Sequence, residues 1–190
     1  DRRQRQMCIR DRGPNGNYYS SWGPDNTLEV TLTLSEADEI FIDGLGKIVA
    51  GSTDNHSVYD DGFQLYNGST QGPLLVADPG DTLKIKLIND LEVNETYQYF
   101  GSTNLHTHGL HVSPLGPGDN VLISIDPGET WETEIKIPDN HFVGPDWYHP
   151  HLHGATNVQI SKGLVGMLLL QPSVEETSQL DFFSPVDLSL

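Results

Sequence analysis

Leu105-His106-Thr107-His108-Gly109-Leu110-His111 is the most telling stretch of this chain, and Trp147-Tyr148-His149-Pro150-His151-Leu152-His153-Gly154 is its counterpart. Seven of the eight histidines lie between residues 105 and 154, and six of those seven fall in these two short clusters. Each cluster contains a His-x-His step. On a β-strand, residues i and i+2 share a face, about 6.5–7 Å apart along the strand. Two imidazoles so placed can hold one metal or reach two neighbouring metals. Two such pairs brought face to face would converge four imidazoles on one pocket.

The sequence around the clusters reads as strands. Upstream, Leu83, Ile85 and Leu87 alternate with Lys84 and Lys86, and Leu28, Val30, Leu32 and Leu34 alternate with Glu29, Thr31 and Thr33. Between the clusters, Trp131, Thr133, Ile135 and Ile137 alternate with Glu132, Glu134 and Lys136. Period two marks half-buried strands. Shorter strands are expected at residues 39–43, 121–125 and 147–151, with an apolar closing strand at 163–171. Turns fall at Pro79-Gly80-Asp81 and Asp126-Pro127-Gly128, and loops at 54–62, 113–120 and 141–146. Strands about ten residues apart, with no convincing helix and no repeat, point to an all-β sandwich or barrel. Three triplets match the N-glycosylation pattern, at Asn55, Asn67 and Asn94.

Composition excludes several functions. The net charge is −17 with only 10 Lys plus Arg, so neither nucleic acid nor an anionic membrane surface is an expected partner. The longest apolar run, residues 164–170, is far too short to span a bilayer, and no membrane insertion is expected. Cys8 is the one cysteine, so no internal disulfide can form. Residues 1–24 read as an unstructured or artefactual lead, 25–172 as the domain, and 173–190 as a linker or the truncated start of another domain. Gln6-Met7-Cys8-Ile9-Arg10-Asp11 resembles a translated sequencing adapter, and Leu188-Ser189-Leu190 fits the same adapter read from the other strand. The expectation is a fragment clipped at both ends, with Cys8 foreign to the natural protein.

Isolated histidines such as His56 and His141 read as surface or satisfied core residues. The paired His-x-His steps read as a metal site. Imidazole suits zinc, copper, iron and nickel. With no cysteine nearby, neither a thiolate zinc site nor a blue copper centre fits this segment. The first cluster superficially matches the His-x-His-x-Asp-His motif of binuclear zinc hydrolases, but Leu110 stands where that motif needs a carboxylate ligand.

His106-Thr107-His108-Gly109 and Trp147-Tyr148-His149-Pro150-His151 resemble the two N-terminal copper motifs of the multicopper oxidases, which include the laccases and bacterial metallo-oxidases. Asn67-Gly68, Gly72-Pro73, Pro79-Gly80-Asp81, Pro127-Gly128-Glu129 and Gly163-Leu164-Val165-Gly166 strengthen the resemblance. It spans roughly residues 28–172 and implies a Greek-key β-sandwich of cupredoxin (plastocyanin-like) type. It also implies half the ligands of a trinuclear copper cluster, where a reductant's electrons reduce O2 to water. Carried over by position, His106 would bind the type 2 copper, and His108, His149 and His151 the type 3 pair. His111 and His153 lie outside the ligand positions. Asp119 resembles an acidic residue that helps deliver protons. The remaining ligands and the type 1 copper belong to a C-terminal cupredoxin domain, in the same chain or a neighbouring subunit, so these 190 residues alone are expected to be inactive. The family implies a periplasmic or extracellular location and leaves the electron donor open. The alternative is a stand-alone copper- or zinc-binding module for storage or delivery.

Overall fold

Leu28, Val30, Leu32 and Leu34 are all buried, and so are Leu83, Ile85 and Leu87. Their alternation with polar residues produces two long strands, each with one apolar face. The computed structural model describes residues 18–20, 26–42, 45–51, 62–93 and 101–171. Within them, β1 is Tyr18–Ser20, β2 Thr27–Ala37, β3 Glu39–Ile42, β4 Gly46–Val49, β5 Phe63–Tyr66 and β6 Gly72–Ala77. Then follow β7 Thr82–Asn89, β8 His106–His108, β9 Thr130–Lys136, β10 Gly144–His149, a short helix α1 Thr156–Lys162, and β11 Gly166–Leu170.

Two sheets make a Greek-key β-sandwich of cupredoxin type. One has the order β1-β6-β11-β10-β8 and the other β5-β2-β7-β9, while β3 and β4 form a separate ribbon. β2 runs parallel to β7, and β6 runs parallel to β11. Parallel neighbours cannot be joined by a tight turn, so the chain must cross between sheets to build them. The core lies between the layers: Leu28 to Leu34 in alternation, Leu83, Ile85, Leu87 and Ile135 from one sheet meet Leu75, Ala77, Tyr148, Leu168 and Leu170 from the other. On the outer face Glu29 stands opposite Lys84, with Lys84 also opposite Glu134, a polar layer facing water.

A fully buried asparagine closes one end of the core. Asn89 Nδ2 donates to the carbonyls of Gly101 (2.8 Å) and Ile125 (2.9 Å), while Asn89 Oδ1 accepts from Leu91 N–H (3.1 Å). It thereby fixes residue 101, where the described chain resumes before the first histidine cluster. At another turn, Asn67 lies at φ 52° and spends its amide on β2, accepting from Thr33 N–H and donating to the Thr31 carbonyl. That side chain is structural, whatever its sequon suggests. The other two sequons lie outside the described residues.

The structure corrects several expected elements. Tyr18–Ser20, placed in an unstructured lead, pairs in parallel with β6 and covers a sheet edge. Residues 121–125 form no strand; apart from an isolated bridge between Thr103 and Ile125, their backbone is held by side chains. The second histidine strand is Gly144–His149 rather than 147–151, because Pro150 has no N–H to continue the ladder. A helix occupies Thr156–Lys162, and Gly163 (φ 119°) caps it in the left-handed region, so the closing strand begins only at Gly166. The loop at 54–62 and His56 lie outside the described residues, save Gly62.

Candidate metal centre

β8 lies at the sheet edge beside β10, antiparallel, with His106 opposite His149, Thr107 opposite Tyr148 and His108 opposite Trp147. Directly opposed residues share a face, and successive residues alternate. Thr107 and Tyr148 therefore go into the core, where both are fully buried. His106, His108, Trp147 and His149 are left together on the other face. The His-x-His spacing thus works as the strand period requires, and register adds the facing histidine.

The rings converge. His106 is 5.6 Å from His108, 5.3 Å from His149 and 5.1 Å from His151, centroid to centroid. His108 and His149 are 5.5 Å apart, and His149 and His151 6.0 Å. Trp147 stacks on His149 at 4.1 Å and on His108 at 4.9 Å, an apolar wall behind two of the imidazoles. One ring nitrogen from each of His106, His108 and His149 lies within 4.8 Å of the others. His151 joins the ring cluster but not this tighter set.

Hydrogen bonds settle which nitrogens face the centre. His106 Nδ1–H donates to Asp119 Oδ2 at 2.8 Å, leaving its Nε2 lone pair free. His149 Nδ1–H donates to the Pro150 carbonyl at 2.8 Å, again freeing Nε2. His108 turns Nδ1 inward, 3.3 Å from His149 Nε2. Each histidine that passes one N–H to an oxygen has its tautomer and plane fixed, which is how a metal-binding imidazole is held. The donor set therefore fits a metal that prefers nitrogen ligands.

Asp119 is buried within the 113–120 loop. Its Oδ1 accepts from Thr107 N–H at 2.8 Å while Oδ2 holds His106. Burial alone would raise this carboxyl, but the hydrogen bonds from His106 and Thr107 outweigh it and hold the pKa below its usual value. The loop is itself braced on β9, where Glu134 N–H and the Thr133 hydroxyl bond the Pro117 carbonyl. For His149, desolvation is the main cause of a lowered pKa; the Pro150 carbonyl opposes it, and the neighbouring histidines add to it. That keeps His149 neutral near pH 7, with its lone pair available.

The remaining histidines among the described residues stay out. His141 Nε2 accepts from His111 N–H at 2.9 Å, and its Nδ1–H donates to the Phe142 carbonyl at 2.8 Å, so both nitrogens are committed. His153 is exposed, and no ring contact among the described residues brings it to the cluster. Two contributors were not picked out by sequence reading. Trp147 stands inside the second histidine motif, but its indole is no metal ligand and sequence alone marks no role for it. Asn104, which binds His151 N–H through Oδ1 at 2.6 Å, carries no sequence signal beyond its place two residues before His106.

Residues 50–175 match the family model described as multicopper oxidase. The chain belongs to the multicopper oxidase family. Among its relatives, the multicopper oxidase mco of Staphylococcus haemolyticus is 39% identical over 108 residues, 57% of this chain and 22% of that protein. Laccase-1 of Thanatephorus cucumeris is 36% identical over 110 residues, 56% of this chain and 18% of that protein. The solved multicopper oxidase of Campylobacter jejuni, described as a metallo-oxidase, is 26% identical with a TM-score of 0.57, covering 78% of this chain and 26% of that one. The chain thus spans about a fifth of the length of the curated relatives it matches. Family membership makes copper the metal that this imidazole set implies.

Proposed function

We propose that this chain supplies half the ligands of a trinuclear copper cluster in an O2-reducing oxidase. The reading assigns His106 to the type 2 copper and His108, His149 and His151 to the type 3 pair. One observation carries it: ring nitrogens of His106, His108 and His149 within 4.8 Å of one another, on a single face set by the β8–β10 register. His108 Nδ1 and His149 Nε2, 3.3 Å apart, are the natural pair for one ion, while His106 and His151 offer their rings to neighbouring positions.

Bound copper would supply the electrons that reach O2, drawn from a reductant. This chain's own residues bind and orient. Asp119 keeps the His106 proton on Nδ1, and Pro150 does the same for His149. Trp147 excludes water from one side of two imidazoles. Asp119 is also the residue to which we assign proton delivery, because it already shares the Nδ1 proton of His106 through Oδ2. We assign residues 25–172 to the domain, with β1 joining its sheet from upstream. The other ligands and the electron-entry copper would come from a C-terminal cupredoxin domain, in the same chain or a neighbouring subunit. A periplasmic or extracellular site of action follows from the family. No helix among the described residues is long and apolar enough to cross a membrane.

A copper titration of the chain, followed by dialysis against a mild chelator, tests the proposal. A half-site gives copper up to the chelator, and what binding there is disappears in a His106→Ala, His149→Ala double variant. Tight, stoichiometric retention by the monomer would favour the stand-alone storage or delivery module instead.

A further inference from the structure

Three of the four clustered histidines sit on paired strands, and two of those have a ring nitrogen tied to an oxygen. His151 has neither support. It lies beyond the end of β10, after Pro150, with an exposed ring that makes no hydrogen bond among the described residues. Its one polar restraint is on its own backbone: His151 N–H donates to Asn104 Oδ1 at 2.6 Å. Asn104 is fully buried, and its amide faces three partners. Nδ2 donates to the carbonyls of Val121 (2.9 Å) and Ile123 (3.2 Å), which fixes the amide orientation, since two carbonyls can only be met by the NH2 end. One side chain therefore ties the segment leading to His106 and the loop after Asp119 to the segment carrying His151.

We propose that Asn104 is the positioning residue for His151, setting the distance at which that ring meets copper. The proposal rests on the reading that His151 is a copper ligand. An aspartate could accept from His151 but not donate to the two carbonyls; an alanine could do neither. Asn104 is thus a hinge pin between the two histidine clusters, acting through the His151 backbone rather than by touching metal.

The test uses the full 190-residue chain, nitrogen-labelled for NMR, with diamagnetic copper(I) alone as the probe under anaerobic conditions. In the wild type, the His151 amide proton should lie far downfield and exchange much more slowly than that of exposed His153. Copper(I) should shift the ring-nitrogen signals of His106, His108, His149 and His151 together. In Asn104→Ala the first three should respond at the wild-type copper level, while His151 needs at least tenfold more. Asn104→Asp, which keeps the acceptor but loses both donors, should restore only part of the His151 response. Four rings shifting together in Asn104→Ala would overturn the proposal, as would loss of all four responses with core methyl signals unchanged. If Asn104→Ala does not fold, the wild-type amide decides: exchange as fast as at His153 overturns it. Absence of any ring response in the wild type would sink the copper reading, while the amide measurement would still judge Asn104.

Discussion

Asp119 and His149 show how single groups prepare the site. Both oxygens of Asp119 accept hydrogen bonds, from His106 Nδ1–H and Thr107 N–H. An Asp119→Asn variant would turn an NH2 group toward one of those donors. Partners that orient metal-binding imidazoles are worth roughly 10–100-fold in affinity. We expect Asp119→Asn to weaken copper binding by about that factor while the far-ultraviolet spectrum stays that of the wild type; a competition titration reads it, and unchanged affinity would deny Asp119 a positioning role. His149 gives a pH prediction for the metal-free chain. Its folded pKa is depressed, chiefly by burial, so below the unfolded value of about 6.5 the unfolded chain binds the proton more readily. Stability is unaffected by His149 above that value and falls as pH drops through and below it. Asp119 acts lower down: its depressed carboxyl contributes stability above about pH 4 that is lost on further acidification. Melting temperatures at pH 7.5, 5.5 and 3.5 should therefore fall in two stages, and His149→Gln should flatten the first. A first stage of equal size in that variant would place the titrating group elsewhere.

At the scale of elements, the site depends on how closely β10, β11 and β6 can approach. Tyr148 is fully buried, and its hydroxyl donates to the Pro73 carbonyl at 2.7 Å. Its ring passes over two glycines on neighbouring strands: a Cβ at Gly166 would meet Tyr148 Cζ at 2.0 Å, and one at Gly72 would meet the hydroxyl oxygen at 2.5 Å. The strand that carries His149 is located by this aromatic wedge one residue earlier. Gly166→Ala should cost about 1–3 kcal/mol, the usual penalty for overpacking a tight core. Urea unfolding measures it, and a neutral outcome would show that Tyr148 can shift freely. Much of this level was legible beforehand. The alternation of Leu28 to Leu34 and Leu83 to Leu87 marked the two long strands, and the first His-x-His step placed its two rings on one face. Helix α1 was not legible, because Ala155 provides no side-chain cap, the first turn has no acidic residue, and seven residues give little period to read. The Asn104 tie and the Trp147 stack were also hidden, since both depend on segments that come together only through strand register.

For the whole molecule, the question is what one domain of this kind can do. The rings of His108 and His151 are exposed, so the cluster opens to solvent on the side away from the core. Three ring nitrogens form its tight set, and the nearest wall, Trp147, covers only one flank. The sandwich matches about a quarter of the solved Campylobacter jejuni oxidase, so most of that protein's structure has no counterpart here. Electron entry needs a second copper centre with a thiolate ligand in the proposed scheme, and Cys8 is the only cysteine of the chain, far in sequence from either cluster. Imidazoles alone can bind copper, but in the proposed scheme electrons reach it efficiently only through the thiolate-bound centre of the second domain. The copper-loaded chain by itself should therefore consume O2 with a phenolic reductant no faster than the His106→Ala, His149→Ala double variant does under the same conditions. An oxygen electrode makes the comparison. Turnover well above the variant, proportional to chain concentration, would mean that these residues form a complete centre and would remove the need for a second domain.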